Sequence, residues 1–396
     1  MKFAHLADCH VGGWREEKLT KLTIQAFNQA VERIIKENAA FVVIAGDLFH
    51  TALPNIDLIK ETANILRKLK DNDIEVYLIP GSHDYSYSGK TMLDVFENSG
   101  LVHNVMKLRE NRLEFTEDKT GVKLSGIMGK RGGLDKYDYD KLDKENIEKE
   151  QGFKIFLFHA LLTDLKPKGL DKAFSMELKS LPKNFNYYAG GHPHIPKIID
   201  YDRGKLAYTG PLSPDNFEEL EELGNGGFYI VDDRLNIERI EVKLKDVLKF
   251  RFNADNKNAK QFELEILNET KNHDVKDKIV LIRVDGILSS GKPGDIDFKK
   301  IFSDLNEAYA VLKNTSKLTS KEFEEVEIEH GDIDDIERKI IQENVGQINL
   351  FGFAKEKEEE LVRNLVNALD KEKMENETNA NFENRIIVDL KKIIEI

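Results

Sequence analysis

The sequence predicts an α/β domain over roughly its first 230 residues, followed by a smaller α+β region and a helical tail. Three observations carry that reading. Apolar runs alternate with amphipathic stretches from Met1 to about Val231. Past Asp232 the texture changes to longer mixed segments. A strongly acidic stretch from Thr319 to Glu360 then precedes two apolar-striped segments. At 396 residues the chain exceeds one ordinary core, which implies more than one domain.

Taken in order, MKFAHLADCH reaches a charged aspartate after a short apolar run and reads as a strand, not a secretion signal. Leu19, Leu22, Ala26, Ala30 and Ile34 recur at helical spacing, as do Ile56, Ile59, Ala63, Leu66 and Leu69. Both sets predict helices covering a sheet. FVVIA at 41–45, EVYLIP at 75–80, KIFLFH at 154–159 and NYYAG at 186–190 are short and rich in β-branched or aromatic residues, so they predict buried strands. Further on, KIVLIRVDG at 278–286 and a helical segment from Asp297 to Ala308 belong to the smaller domain. Two amphipathic helices end the chain. Leu361, Leu365, Ala368 and Leu369 stripe the first, and Ile386, Ile387, Leu390, Ile393 and Ile394 the second. The expected divisions are 1–232, 233–318, an acidic linker at 319–354, and 355–396.

Composition narrows the function. With 40% apolar and 33% charged residues the chain is of globular type, and no apolar run approaches the roughly 18–20 residues of a membrane span. The single cysteine, Cys9, cannot close an intrachain disulfide. That fits a reducing cytoplasm and leaves nitrogen and oxygen as the available metal ligands. A net charge of −13 argues against nucleic acid, because phosphate neutralisation supplies most non-specific affinity. Its distribution answers the objection: 319–360 holds 14 acids against 5 bases, so the other 354 residues carry only −4.

Five groups of histidine and aspartate sit directly after predicted strands: Asp8 with His10, GDLFH at 46–50, GSHD at 81–84, His159, and His192 with His194 in GGHPH. Loops at the carboxyl ends of strands in an α/β sheet are where ligands bind. Asp8 and His10, two apart, would project from one face of a strand, with Cys9 packing on the other. Six histidines with Asp8 and Asp47 exceed the ligands one ion needs, so two ions are implied, with Asp47 the candidate carboxylate bridge. Imidazole and carboxylate without thiolate suits manganese, iron or zinc better than calcium or magnesium. Taken singly, each group is most simply a polar turn; the ordered set of five is not.

The order D-x-H, GD-x-x-H, G-x-H-D, isolated His, G-H-x-H resembles the calcineurin-like metallophosphoesterases. ADCHVGG, VIAGDLFH, GSHDYSYSGKT and GGHPH resemble the archaeal type of the SbcD/Mre family of DNA double-strand-break repair nucleases. The resemblance implies an α/β/β/α sandwich with an α+β capping domain and a C-terminal helix-loop-helix. It implies two Mn²⁺, one held by Asp8, His10, Asp47 and His194, the other by Asp47, His159, His192 and the residue at 82. There the family pattern has asparagine and this chain has Ser82, a shorter and weaker donor. His83 resembles the catalytic histidine and His50 a residue that positions substrate. The implied activity is 3′ to 5′ exonuclease and single-strand endonuclease action on DNA ends. The implied partners are DNA ends, an SbcC/Rad-type ABC ATPase, and a second copy of the chain, with the helix from about Ile56 to Leu69 part of the dimer face.

The remaining expectations are weaker in their chemistry. Lys130, Arg131, Lys166, Lys168 and Lys172 are candidates for DNA phosphates, although such clusters are common on a lysine-rich surface. Leu361, Leu365, Leu369, Ile386, Leu390 and Ile393 are the candidate contacts for the ATPase. SGKT at 88–91 lacks the first glycine of a phosphate loop, since position 84 is aspartate, and reads as a helix start. A phosphatase or cyclic nucleotide phosphodiesterase on the same fold is the enzymatic alternative. A DNA-end tethering scaffold with a weak metal site is the other.

Overall fold

The computed structural model describes residues 1–85, 91–167, 173–321, 358–371 and 379–394. Most of the acidic linker, Ser88, Lys168 and Lys172 lie outside them. The strands in chain order are β1 (Lys2–Leu6), β2 (Phe41–Ala45), β3 (Glu75–Ile79), β4 (His103–Asn104), β5 (Leu108–Arg109), β6 (Arg112–Leu113), β7 (Thr116–Glu117), β8 (Lys123–Ile127) and β9 (Lys154–His159). Then follow β10 (Tyr187–Gly191), β11 (Pro196–Tyr201), β12 (Gly204–Thr209), β13 (Gly226–Asp232), β14 (Ile237–Val242), β15 (Val247–Asn253), β16 (Ile279–Leu288) and β17 (Ala310–Ser320).

Two six-stranded sheets, ordered β14-β13-β1-β2-β3-β4 and β11-β12-β10-β9-β8-β7, build the larger unit. At the centre of each, the strands run parallel: β1, β2 and β3 in the first, and β8, β9, β10 and β12 in the second. Parallel strands need both faces covered, and the sequence supplies three apolar layers to do it. Phe3, Phe41, Val43 and Tyr77 from one sheet pack with Leu124, Ile155, Leu157 and Tyr187 from the other. The opposite face of the first sheet is covered by Glu17–Lys36 and Ile56–Asp71, whose Phe27, Val31, Leu66 and Leu69 join Leu6, Ile44 and Leu78. Phe156, Phe158 and Tyr188 point outward from the second sheet against Tyr139 and Ile147. The architecture is the expected α/β/β/α sandwich.

The expected boundary at 232 falls inside this unit. β14 pairs antiparallel with β13, from Gly226 opposite Val242 to Val231 opposite Ile237, so the hairpin extends the first sheet. The first compact unit comprises Met1–Phe252, Thr270–Arg283 and Phe302–Thr315. The second comprises Asn253–Glu269, Val284–Ile301 and Ser316–Ile396. Within the second unit the helices Glu358–Leu369 and Asn379–Ile394 pack on each other, with Lys371 Nζ bonded to Asp389 Oδ2 at 2.8 Å. Of the expected partner contacts, Leu361 is buried, Leu365, Ile386, Leu390 and Ile393 are half-buried, and Leu369 is exposed. On the helix Ile56–Asp71, Ile65, Leu66 and Leu69 are buried while Ile56 is 80% exposed.

Leu157 is fully buried between the two sheets. Leu157→Ala is expected to lower the unfolding free energy by about 2–5 kcal/mol, from lost transfer energy plus the cavity left behind. A urea midpoint indistinguishable from wild type would contradict this packing.

Candidate metal centre

Parallel pairing brings five chain segments to the same end of the sandwich. β1 leads to Asp8 and His10, β2 to Asp47 and His50, β3 to Ser82 and His83, β9 ends on His159, and β10 leads to His192 and His194. The mechanism that aims Asp8 and His10 differs from the one the spacing suggested. β1 stops at Leu6, and both residues adopt left-handed backbone, with φ of 49° and 41°. Asp47, His192 and His194 also have positive φ, at 52°, 102° and 53°. Aspartate and histidine tolerate that region better than most side chains, but each such residue still stores strain of about 1–3 kcal/mol. Hydrogen bonds hold the turns: Asp8 N donates to Gly46 O at 3.1 Å, and His10 N to Asp47 O at 3.0 Å. Cys9 is buried in the helix-side core, as its packing role requires.

Two glycines permit the approach. A Cβ on Gly191 would lie 2.3 Å from the Ala45 carbonyl oxygen and 2.9 Å from the Ala7 Cβ, so only glycine lets β10 come this close to the first sheet. A Cβ on Gly81 would fall 2.2 Å from Asp47 Oδ1. The double glycine before His192 therefore has a spatial purpose.

Asp47 lies at the middle of the cluster. Its Oδ2 is 3.6 Å from His10 Nε2 and 3.1 Å from His159 Nε2, while Oδ1 accepts from His83 N at 2.8 Å. Asp8 sits alongside, with Oδ1 3.7 Å from His194 Nε2 and 3.8 Å from His159 Nδ1, and both its oxygens accept from His192 N. His10 Nε2 and His194 Nε2 are 3.0 Å apart. Potential ligand atoms thus gather as Asp8, His10 and His194, and again as Asp8, Asp47 and His159. His192 stands beside the second group, its ring centroid 5.0 Å from that of His159.

His83 is fixed by its Nδ1, which donates to the His50 carbonyl at 2.8 Å and leaves Nε2 as the outward atom. Its ring lies 4.8 Å from that of His10. His50 Nδ1 is 3.3 Å from His10 Nδ1. Ser82 is buried, and with His83, His159 and His192 it lines a cleft of about 450 Å³ whose other wall includes Lys130, Arg131 and Phe174. Arg131 Nε donates to the Ser82 carbonyl at 3.1 Å, while Lys130 is paired with Asp138 at 2.6 Å and Lys166 Nζ donates to Ala173 O at 2.7 Å.

The charges explain one another. Burial lifts the Asp8 carboxyl to about 6, against the opposing pull of His194 and His159. Burial acts on Asp47 in the same sense, but His159 and then His10 override it and hold the group well below the usual carboxylate range. Burial presses His10 well below normal, and desolvation by the surrounding site pushes His192 down to about 3 although the residue is exposed toward the cleft. For His159 and His194 burial also opposes charging, yet Asp47 lifts the first to about 9, and Asp8 with Glu219 lifts the second to about 10. A cage that draws protons onto one buried and one half-buried imidazole will draw a divalent cation in their place. Its nitrogen and oxygen donors fit such an ion. His159 Nε2 fits it further, being buried without an aligned hydrogen bond although Asp47 Oδ2 is close by.

Sequence reasoning missed three carboxylates. Asp84 accepts from Gly81 N, Leu48 N and Phe49 N at 2.9–3.1 Å, tying the β2 and β3 loops together. Asp215 Oδ2 is 3.6 Å from His50 Nδ1, and Glu219 Oε1 is 2.7 Å from His194 Nδ1. Asp84 lay within a quoted motif without a role. Asp215 and Glu219 follow β12 in a stretch without histidine, and nothing in their spacing marks them.

Residues 1–196 match the family model for the calcineurin-like phosphoesterases. A DNA double-strand break repair protein Mre11 from Archaeoglobus fulgidus is 31% identical over 56% of this chain and 52% of its own length. The protein of the same name from Methanococcus maripaludis is 29% identical over 63% of this chain and 68% of its own. The chain therefore spans about half of the first relative and two thirds of the second. A solved dimetal phosphatase from Danio rerio aligns with a TM-score of 0.38 and 9% identity, over 61% of this chain and 99% of that one.

Proton and metal compete for the same nitrogens, and the raised values of His159 and His194 set the direction. With both values raised, the two rings hold their protons at neutral pH and lose them as pH climbs through about 9 and about 10, so affinity for a divalent cation is expected to rise from neutral pH toward that range and level off above it. Titration calorimetry in buffers of different ionisation enthalpy should register protons released on binding. An affinity flat with pH and no proton release would contradict this charge balance.

Proposed function

The chain belongs, through residues 1–196, to the calcineurin-like phosphoesterases, and on that footing we propose that it is a manganese-dependent DNA nuclease that processes double-strand-break ends. The observation that carries the reading is Asp47 Oδ2, one carboxylate oxygen placed within 3.6 Å of His10 Nε2 and 3.1 Å of His159 Nε2. That is the arrangement a shared ligand between two cations needs. The DNA substrate is supported by the archaeal relatives, whose names place them in double-strand break repair.

In this reading Asp8, His10, Asp47 and His194 hold one Mn²⁺, and Asp47, His159 and His192 hold the other with Ser82. A bound pair supplies a nucleophile from water near neutral pH and neutralises charge growing on the phosphate. The protein's own groups do the rest. The His50 carbonyl orients His83 so that Nε2 faces outward to donate a proton or hydrogen bond to the leaving oxygen. Arg131, exposed on the cleft wall and anchored at the Ser82 carbonyl, is placed to meet a backbone phosphate. The cleft beside the histidines gives the scissile strand room to lie across the site.

The helices Glu358–Leu369 and Asn379–Ile394 are assigned to docking the ABC ATPase, supported by the apolar surface that Leu369, Ile387 and Val388 leave exposed. A homodimer is assigned to the larger unit, where Leu53 and Ile56 are exposed.

With Mn²⁺, the wild type is expected to degrade single-stranded DNA and duplex ends faster than bis-p-nitrophenyl phosphate. His83→Ala should slow DNA cleavage by about 10²- to 10⁴-fold, the usual worth of a placed general acid, while both ions remain bound. Turnover of the simple diester alone would support a phosphatase or phosphodiesterase, and metal binding without any turnover a tethering scaffold. Removing residues 355–396 should abolish capture of the ATPase and leave Mn²⁺ binding unchanged; retained capture would refute the docking role.

A further inference from the structure

We propose that Glu219 is a positioning residue for the metal centre: its carboxylate fixes which nitrogen of His194 faces the cation. The inference rests on the cation pair proposed above. An imidazole has two nitrogens on opposite sides of the ring, and the hydrogen bond made by one decides the role of the other. His194 Nδ1 donates to Glu219 Oε1 at 2.7 Å. The opposite atom, Nε2, lies 3.0 Å from His10 Nε2 and 3.7 Å from Asp8 Oδ1. With one proton held at Nδ1, Nε2 is the atom whose proton a cation would displace and whose lone pair would then face that cluster.

Glu219 is itself held rigidly. Its Oε1 accepts from Asn216 Nδ2 at 2.6 Å, and its Oε2 accepts from Asp215 N at 3.1 Å. Its own backbone N–H donates to Asn216 Oδ1 at 2.9 Å, which starts the helix Phe217–Leu223. One turn of helix thus serves two ends: the residue that completes its cap also orients His194 in the loop between β10 and β11. Farther along, Glu221 receives Arg283 Nε at 2.8 Å and Arg251 Nη2 at 3.0 Å, which anchors the same helix.

The other rings are steadied differently. His159 Nδ1 donates to the Ala45 carbonyl and His83 Nδ1 to the His50 carbonyl, both at 2.8 Å. Those acceptors belong to the backbone and survive any substitution. His194 depends on a side chain, so its orientation can be removed without touching a ligand.

The test is Mn²⁺ binding to the full-length chain, by titration calorimetry and by the electron paramagnetic resonance signal of a coupled pair. Glu219→Ala should weaken one of the two ions by about 10- to 100-fold, the usual effect of losing a ligand's outer hydrogen-bond partner. It should also lose the coupled signal. Glu219→Gln keeps a carbonyl acceptor for Nδ1 and should restore binding to within about threefold of wild type, which a purely electrostatic effect would not. Glu218→Ala removes the adjacent acid, which bonds Asn314 instead, and should bind both ions normally. Wild-type affinity in Glu219→Ala, or equal losses in Glu218→Ala and Glu219→Ala, would overturn the assignment. A wild-type chain that binds no pair of ions would overturn the two-metal reading together with it.

Discussion

Burying Asp8 and Asp47 side by side is the constraint from which the rest of this domain follows. Each is 1% exposed, and an ionised carboxylate withdrawn from water costs several kcal/mol unless charges or N–H groups replace the lost solvent. The surroundings can be understood as that replacement. Backbone N–H groups of His83 and His192 point at the two carboxylates, and His10, His159 and His194 bring imidazole nitrogens to them. Such a donor set cannot come from one loop, because a single turn offers only two or three groups on one side. It needs five strand ends, hence two sheets pressed together with their parallel strands ending at one edge.

Pressing the sheets together has its own requirements. Leu157, Tyr187 and Phe41 fill the space between them, and Gly191 closes the last gap where a methyl group would collide with the Ala45 carbonyl. The left-handed residues are the complementary device: Asp8, His10, Asp47 and His194 leave their strands in turns tight enough to point inward at once. Strain at Asp8, His10 and Asp47 is tolerated because backbone hydrogen bonds between the two neighbouring loops, Asp8 N to Gly46 O and His10 N to Asp47 O, hold those turns. Stability of the sheets and geometry of the site are therefore a single problem in this fold.

This explains which parts of the molecule could be read from the chain alone. β2, β3, β9 and β10 were legible because central parallel strands, buried on both faces, must be continuous apolar runs. The pairs of histidines and aspartates after them were legible because that chemistry has few other reasons to recur at strand ends. β11 and β14 were not, since these edge strands are largely exposed or half-buried, as in Pro196–Tyr201, and carry no clean period. The spacing of Asp8 and His10 suggested the right convergence for the wrong reason: positive φ, not strand alternation, turns them inward. Asp84, Asp215 and Glu219 stayed hidden because a carboxylate looks the same in sequence whether it faces water, a backbone N–H or a histidine.

The two halves of the cluster are not equivalent, and the difference bears on Ser82. Around His10 and His194 stand Asp8, Asp215 and Glu219, three carboxylates within 4 Å of an imidazole nitrogen. Around His159 stand Asp47 and Asp8, shared with the first half, and beyond them Ser82 and His192 at the wall of the cleft. Serine in place of an amide therefore falls on the half that borders the cleft and whose two carboxylates, Asp8 and Asp47, both also approach the other half.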